Sequence, residues 1–239
     1  MLIRYELIDN FRVFSRPPEL ILTLIENHGC RSILEVGSGA NPSLSPEYVC
    51  AHQLRYVTND VSAEELSKAD KAFEVLMMDF NGEVDPALFG QFDLVFSRMV
   101  GEHIQDGRHF HENIFRILKP GGVAVHFLAC LGSLPSLTIR MLPGPLAAIM
   151  QHYFNPRDDH HRKFRAYYSW ALGPTNSMIR RFRSIGYEVV EYVGVYGHKY
   201  YSHRFHLFDK LETMKSKLLV RNPVPLLCSY VSVHLRKPA

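Results

Sequence analysis

A turn with two glycines follows the first buried apolar run of the chain and is the feature best suited to hold a ligand. The run at 32–36 predicts a strand, and Gly37 and Gly39 follow it. Glycines at such a turn allow positive φ angles and let a ligand touch the backbone. Asp60 ends the next apolar run, where a carboxylate meets ribose hydroxyls in nucleoside-binding folds. The pattern therefore predicts a ribonucleoside site.

The same turn argues against a nicotinamide dinucleotide. The fingerprint for that ligand places a third glycine at the start of a helix whose N–H groups hold the pyrophosphate. Pro42 stands at that place and has no N–H to offer. A NAD(P)-dependent oxidoreductase stays an alternative, and absence of nicotinamide-cofactor binding would close it.

Short apolar runs alternate with amphipathic runs around the turn, and this order predicts the elements that position it. The predicted strands are 32–36, 55–59, 73–78, 92–97, 123–128, 187–195 and 226–235. The predicted helices are 17–27, 62–71, 110–118, 176–185 and 209–219. Strands and helices in alternation are typical of a parallel sheet covered by helices on both faces.

The turn and its neighbours resemble class I S-adenosylmethionine (SAM) dependent methyltransferases. The segment ILEVGSGANP at 33–42 is similar to motif I of that family, and Asp60 to its ribose-binding acid. The segment MDF at 78–80 resembles the station that flanks the adenine, and FDLVFS at 92–97 resembles motif IV. These segments occur in the family's order and spacing.

Two later segments extend the resemblance over residues 30–130. VGEHI at 100–104 is similar to a segment of the small-molecule group related to the ubiquinone and menaquinone methyltransferases (type 11), and LKPGG at 118–122 to the turn before the fifth strand. The resemblance implies a Rossmann-like α/β fold with a mostly parallel seven-stranded sheet and an antiparallel last strand. It also implies SAM as cofactor and S-adenosyl-L-homocysteine as product. The family commonly has a third glycine where this chain has Asn41.

The resemblance implies a set of cofactor-binding residues at the carboxyl ends of the first four core strands. They are Glu35, Gly37, Ser38, Gly39, Asn41, Asp60, Val61, Asp79, Phe80, Ser97 and Arg98. Structural roles stay open for some of them. Glu35 could hold the turn, and Asp60 could be the N-cap of a helix. Asp79 could close a turn, and Phe80 could pack instead of stacking on adenine.

Glu102 and His103 are the predicted catalytic residues near the transferred methyl group. Methyl transfer from a sulfonium needs chiefly alignment, with proton removal when the acceptor is an alcohol or phenol. Histidine titrates near neutral pH, so His103 could act as a general base. A purely architectural role beside the following helix is the alternative. We predict no metal site, because the histidine clusters lack zinc-ligand spacing.

Charge is unevenly distributed along the chain and suggests two tasks. Residues 1–120 carry 11 basic and 18 acidic side chains, whereas residues 121–239 carry 16 basic and 6 acidic ones. The acidic half suits a cationic cofactor. Basic and aromatic residues interleave at 154–170 and again at 180–183. They suit an acceptor with an aromatic body or anionic groups, and a peripheral membrane contact stays open. No RNA-binding module accompanies them, so we expect no nucleic-acid partner.

Length and composition fit one methyltransferase domain. The 239 residues, of which 46% are hydrophobic, suffice for a single α/β core. We predict a SAM-binding half at 1–130, an irregular helical cap for the acceptor at 131–172, and a last part at 173–239 with an inserted segment at 196–225. Four dispersed cysteines, no secretory signal and no run suited to a spanning helix favour the cytoplasm.

The resemblance thus implies transfer of a methyl group from SAM to an O, N or C nucleophile, and we expect the acceptor to be a small molecule in secondary, lipid or glycan metabolism. An RNA or protein methyltransferase is one alternative, for which tight RNA binding with a steep salt dependence would be the sign. A non-catalytic SAM-binding protein is the other, and it would bind SAM without turnover.

Overall fold

An eight-stranded sheet forms the centre of the computed structural model, which describes residues 1–10, 19–132, 141–142, 146, 165–198 and 206–239. The strands are β1 (Leu2–Leu7), β2 (Ser32–Val36), β3 (Arg55–Asp60), β4 (Glu74–Met77), β5 (Phe92–Arg98), β6 (Leu118–Ala129), β7 (Glu188–Tyr196) and β8 (Tyr230–Arg236). Their spatial order is β1-β7-β8-β6-β5-β2-β3-β4. β8 pairs antiparallel with β6 and β7, and the other neighbours pair in parallel.

The order of the strands creates a crevice at the end of β2. From β2 the chain continues to β3 and β4 on one side of the sheet and then to β5 and β6 on the other. Open α/β sheets bind ligands at such a switch point, outside the carboxyl ends of the strands. The glycine turn follows β2 and lies there. The predicted Rossmann-like sheet with an antiparallel last strand is confirmed.

Helices cover both faces of the sheet, as predicted. The described helices include α1 (Glu19–His28), α2 (Pro46–Ala51), α3 (Ala63–Leu66), α4 (Gly107–Ile117), α5 (Asn176–Ile185) and α6 (His206–Arg221). Successive side chains of a strand point to opposite faces. Ile33 of β2 accordingly joins the core that includes α1, whereas Leu34 joins the core that includes α4 and α5.

Most predicted elements are confirmed, with changes at their ends. The prediction for α5 gives both of its ends correctly. The helix predicted at 62–71 is shorter and spans only Ala63–Leu66, with Ser62 as the N-cap that accepts a hydrogen bond from Glu65 N. The predicted LKPGG turn is the start of β6, where the pairing with β5 shifts register. α2 has no counterpart in the prediction.

The sheet has one strand more than the seven predicted. β1 pairs in parallel with β7 at the edge, and Arg4 forms an ion pair with Glu191 at 2.8 Å. Arg4 and Glu6 alternate with apolar residues in β1. Such an edge strand lacks the continuous apolar run that marks the central parallel strands, so the sequence pattern did not reveal it.

The predicted cap at 131–172 lies mostly outside the described residues, and so do the histidines at 160, 161 and 203. Residues 165–172 are described and pack near the start of α4. The segment predicted as an insertion at 196–225 contains α6, which contacts β1 and β7. Within the described ranges, no helix combines the length and apolar character needed to cross a membrane.

Candidate functional site

The two glycines of the turn are required by close contacts on both sides. Gly37 and Gly39 have φ angles of +67° and +47°, in the left-handed region that glycine tolerates. A Cβ atom on Gly37 would lie 2.4 Å from Val100 Cγ2, and one on Gly39 would lie 2.8 Å from Asp60 Oδ2. The turn therefore contacts the segment after β5 on one side and the end of β3 on the other.

The backbone of the turn is tied to β3 through Asn59. Ser38 N–H donates to Asn59 O at 2.9 Å, and Asn41 N–H donates to Ser38 O at 2.8 Å. The Asn59 side chain donates to the carbonyls of Leu76 and Met78, at 2.8 and 2.9 Å. The backbone carbonyl of Asn59 thus connects β3 to the turn, and its side-chain amide connects β3 to the end of β4. Sequence reasoning missed Asn59 because it stands beside the more conspicuous Asp60.

The carboxylate of Glu35 holds the glycine turn in place through hydrogen bonds. It is buried and accepts hydrogen bonds from Ser43 N at 2.7 Å, from Ser43 Oγ and from the Tyr56 hydroxyl. Arg98 Nε donates to it at 3.1 Å, and another nitrogen of Arg98 donates to Asn41 O at 3.2 Å. Burial, followed by the nearby Glu35 carboxylate, raises the pKa of Tyr56 well above its usual value. Of the two predicted roles for Glu35, these contacts favour holding the turn.

Asp60 presents a carboxylate oxygen to the turn. Its Oδ1 accepts a hydrogen bond from Ser62 N at 2.9 Å, and Oδ2 faces Gly39. Because Ser62 is the N-cap of α3, Asp60 does not have the capping role that was its alternative. A carboxylate at the end of the second core strand, beside a glycine cradle, fits ribose hydroxyls. Val61, the next residue, is exposed.

The two residues predicted to flank the adenine at the end of β4 differ in exposure. Asp79 is exposed and accepts hydrogen bonds from the backbone and side-chain nitrogens of Asn81, at 2.8 and 3.1 Å. Phe80 is buried in the core, with its ring edge-on to Phe110 at 6.4 Å between centroids. The packing role of Phe80, rather than stacking on a ligand, is the one that this placement favours.

Ser97 and Arg98 at the end of β5 use their side chains within the protein. Ser97 Oγ is 2.8 Å from His126 Nδ1, and burial lowers the pKa of His126 to about 3. The Arg98 side chain is committed to Glu35 and the turn. Any contribution of Ser97 to a ligand therefore comes from its backbone at the carboxyl edge of the sheet. Met99, the residue that follows Arg98, has a φ angle of +55°.

Glu102 lies in the 3-10 helix Gly101–His103 and is a buried acid. Burial raises the pKa of Glu102 to about 7. Among the described residues its Oε2 atom has no hydrogen-bond partner. Gly101 permits this placement, because a Cβ there would lie 2.8 Å from Leu128 Cδ2. A buried carboxyl group near neutral pKa is able to hold or release a proton at physiological pH.

His103 is half-buried at the end of the same 3-10 helix. Its Nδ1 lies 3.2 Å from the carbonyl oxygen of Arg165, and its backbone N–H donates to Val100 O at 2.8 Å. A carbonyl only accepts, so Nδ1 carries the proton in this contact and Nε2 carries the basic lone pair. Burial lowers the pKa of His103, which favours the neutral ring at pH 7.

The segment 165–170 covers this 3-10 helix. Tyr167 N–H and Tyr168 N–H both donate to Glu102 O, at 2.8 and 3.0 Å, and Gly107 N–H donates to Ser169 Oγ at 2.9 Å. Tyr168 and Trp170 have φ angles of +55° and +59°. The sequence pattern marked this region only as basic and aromatic, and its contacts with Glu102 could not be read from local spacing. Within the described ranges, no group of three His, Cys, Asp or Glu side chains is placed to hold a metal ion.

The residues at the crevice fit SAM better than a dinucleotide. The glycine cradle and the Asp60 carboxylate suit a ribonucleoside, and Pro42 leaves no N–H for a pyrophosphate. Residues 34–126 match the family model Methyltransf_11, described as a methyltransferase domain. A search of curated protein sequences returned no significant match.

Solved structures with the same fold come from distant sequences. A putative methyltransferase from Haloferax volcanii, solved with the Trm112 methyltransferase activator, has 17% identity and a TM-score of 0.52, over 87% of this chain and 83% of that chain. A SAM dependent methyltransferase from Archaeoglobus fulgidus has 14% identity and a TM-score of 0.51, over 95% and 98%. Haemonchus contortus phosphoethanolamine N-methyltransferase 2, solved with SAM, has 15% identity and a TM-score of 0.53, over 95% and 56%.

The family match spans β2 to β6, and the fold extends the similarity to most of the chain. The predicted family, cofactor and type of enzyme are thereby confirmed. Residues 34–126 form a methyltransferase domain of the Methyltransf_11 family, within a chain that has the fold of SAM-dependent methyltransferases.

Proposed function

We propose that the protein methylates an O, N or C nucleophile of a small molecule that binds beside the glycine turn and the 3-10 helix Gly101–His103. The observation that carries this proposal is the contact of Gly37 with Val100. Val100 O in turn accepts the backbone N–H of His103 at 2.8 Å. The cradle for the cofactor and the predicted base thus adjoin at the carboxyl edge of the sheet.

The chain's own residues have two tasks in this reaction. SAM, when bound, supplies a methyl group on a sulfonium, which is already an activated leaving group. The turn and Asp60 then fix the position of the cofactor, because effective methyl transfer depends on alignment with the acceptor. We propose that His103, held in one tautomer by Arg165 O, takes a proton from the acceptor at Nε2.

Glu102 supports the proton transfer from the same 3-10 helix. A carboxyl group with a pKa of about 7 exchanges its proton near neutral pH. Its backbone carbonyl accepts hydrogen bonds from Tyr167 and Tyr168, which tie the 3-10 helix to the segment 165–170. We therefore propose that His103 is the base and that Glu102 is the proton reservoir.

The chemistry around the 3-10 helix supports a small acceptor with an aromatic body or an anionic group. The Arg165 guanidinium lies 5.3 Å from the centre of the Tyr167 ring. The segment 165–170 packs on the 3-10 helix through the hydrogen bonds of Tyr167 and Tyr168 to Glu102 O, and a covered site favours a small molecule over a macromolecule. An RNA or a protein acceptor is the main competing outcome.

A methylation screen tests the proposal. The purified chain is incubated with SAM that carries a labelled methyl group and with sets of phenols, amines, carboxylates, lipids, RNA and protein extracts. We expect label in a low-molecular-weight acceptor. Label in RNA or protein would contradict the proposed acceptor class. Label in nothing, together with tight SAM binding, would support a non-catalytic SAM-binding protein instead.

A further inference from the structure

The helix α6 has an exposed apolar face that the methyl-transfer site does not use. Side chains at a spacing of four, three and four residues lie on one face of a helix. The members of this stripe are exposed by 69% (Leu207), 53% (Leu211), 68% (Met214) and 61% (Leu218). Four large apolar side chains in one line are more than scattered surface residues. We call these four side chains the α6 stripe.

The orientation of α6 is fixed by its inner face. Glu212, Ser216 and Leu219 are buried, and a Cβ atom on Gly197, just after β7, would lie 3.1 Å from Ser216 Oγ. Glu212 also accepts a hydrogen bond from Lys215 Nζ at 2.7 Å. α6 is thus docked at the end of β7 by polar and apolar contacts, and the α6 stripe points away from the protein.

The charges beside the α6 stripe have one sign. Lys210, Lys217 and Arg221 are exposed and, by helical spacing, form a row next to the stripe. The acids of α6 are Asp209, which lies opposite the stripe by the same spacing, and Glu212, which is buried. The outward half of α6 therefore presents apolar and basic groups and no acid, and the whole segment 121–239 has 16 basic and 6 acidic residues.

We propose that the α6 stripe and its basic row form a docking surface for an anionic lipid membrane. An apolar stripe beside lysines and arginines is the pattern of helices that lie in the membrane interface. The apolar side chains enter the headgroup boundary, and the basic row meets anionic headgroups. A second copy of the chain fits less well, because two such faces would bring basic rows together with no outward acid in α6 to neutralise them.

The position of α6 relates this surface to the methyl-transfer site. β7 and β2 are not neighbours, but the pairings between them show that they run in the same direction. Gly197, at the end of β7, therefore lies at the same edge of the sheet as the glycine turn. Docking through α6 would bring that edge towards the membrane. Membrane binding is a property separate from methyl transfer, so it can be measured without any acceptor.

Vesicle flotation tests the proposal on the full chain. We expect the protein to float with vesicles that contain phosphatidylserine and to remain in solution with vesicles of phosphatidylcholine alone. Leu211→Glu/Leu218→Glu should abolish flotation. Lys210→Glu/Lys217→Glu should weaken binding at least about thirtyfold, since each basic residue near the surface contributes about 1 kcal/mol. Both pairs are exposed, so far-ultraviolet circular dichroism should match that of the wild type.

A matched control separates the surface from total charge. Lys71→Glu/Arg116→Glu makes the same charge change on two exposed residues outside α6 and should leave flotation unchanged. Equal loss in both charge-reversed variants would overturn the proposal, because total charge would then govern binding. So would flotation that survives Leu211→Glu/Leu218→Glu. A wild-type dimer in sedimentation velocity that this variant converts to a monomer would also overturn it and identify an interface between copies.

Discussion

The cofactor side and the acceptor side of the site are built differently. On the cofactor side, the buried carboxylate of Glu35 is hydrogen-bonded by Ser43, Tyr56 and Arg98. On the acceptor side, Glu102 Oε2 has no partner among the described residues, and the neighbouring segment 165–170 has positive φ angles. A satisfied network fixes one geometry, whereas strain and unpartnered buried groups cluster at functional sites. We infer that the cofactor side of the site is rigid and that the acceptor side carries the reactive groups.

The largest expected effect is on turnover and concerns the acceptor side. His103→Asn keeps an N–H for Arg165 O but removes the basic nitrogen. We expect the methylation rate of the acceptor found by the screen to fall roughly 10²–10⁴-fold, the usual contribution of general acid–base catalysis. Affinity for S-adenosylhomocysteine should stay unchanged by calorimetry. A wild-type rate in this variant would contradict the role of His103 as a base.

A large effect on stability is expected on the cofactor side. Glu35→Ala would leave the Arg98 guanidinium buried without its carboxylate, and removing one partner of a buried ion pair costs about 3–5 kcal/mol. Urea unfolding measures this change. Glu83→Ala, at an exposed glutamate, is the matched control and should change the free energy of unfolding by less than about 0.5 kcal/mol. Equal effects in the two variants would show that Glu35 does not hold the turn.

A smaller, pH-dependent effect is expected from Glu102. Its pKa rises from 4.5 to about 7 on folding, so the folded state binds the proton more tightly than the unfolded chain. The protein then loses stability as pH rises from about 4.5 to 7, because the buried group must ionise. Glu102→Gln removes this dependence. Relative to the wild type, the variant should gain about 2–3 kcal/mol between pH 5 and pH 8. The same difference at both pH values would contradict a raised pKa.

The smallest of these effects concerns the glycine turn. Gly37→Ala places a Cβ against Val100 at a positive φ angle, a strain of about 1–3 kcal/mol. We expect about tenfold or greater loss of affinity for S-adenosylhomocysteine. Gly90→Ala also has a positive φ angle, of +66°, but nothing within 4 Å of the added Cβ. Its affinity should match the wild type, and an equal loss in both variants would mean that general strain is responsible.

The same contrast explains what the sequence predicts. The turn, Asp60 and the strands beside them are local patterns, since glycines, a strand end and an acid lie close together along the chain. The partners of Glu35 illustrate the limit, because Tyr56 and Arg98 come from other strands and meet it only through the register of the sheet. The contact of Arg165 with His103 joins residues 62 positions apart, which no periodicity predicts. β1 was not predicted, because charged residues alternate with apolar ones in this edge strand.

We propose above all that SAM binds at the glycine turn, with the Asp60 carboxylate bound to its ribose hydroxyls. Calorimetric titration with S-adenosylhomocysteine tests it most directly, on the wild type, on Asp60→Ala and on Asp85→Ala, a matched exposed aspartate. We predict micromolar binding by the wild type and by Asp85→Ala, and none that is measurable by Asp60→Ala. Unchanged affinity in Asp60→Ala would contradict this placement of the cofactor.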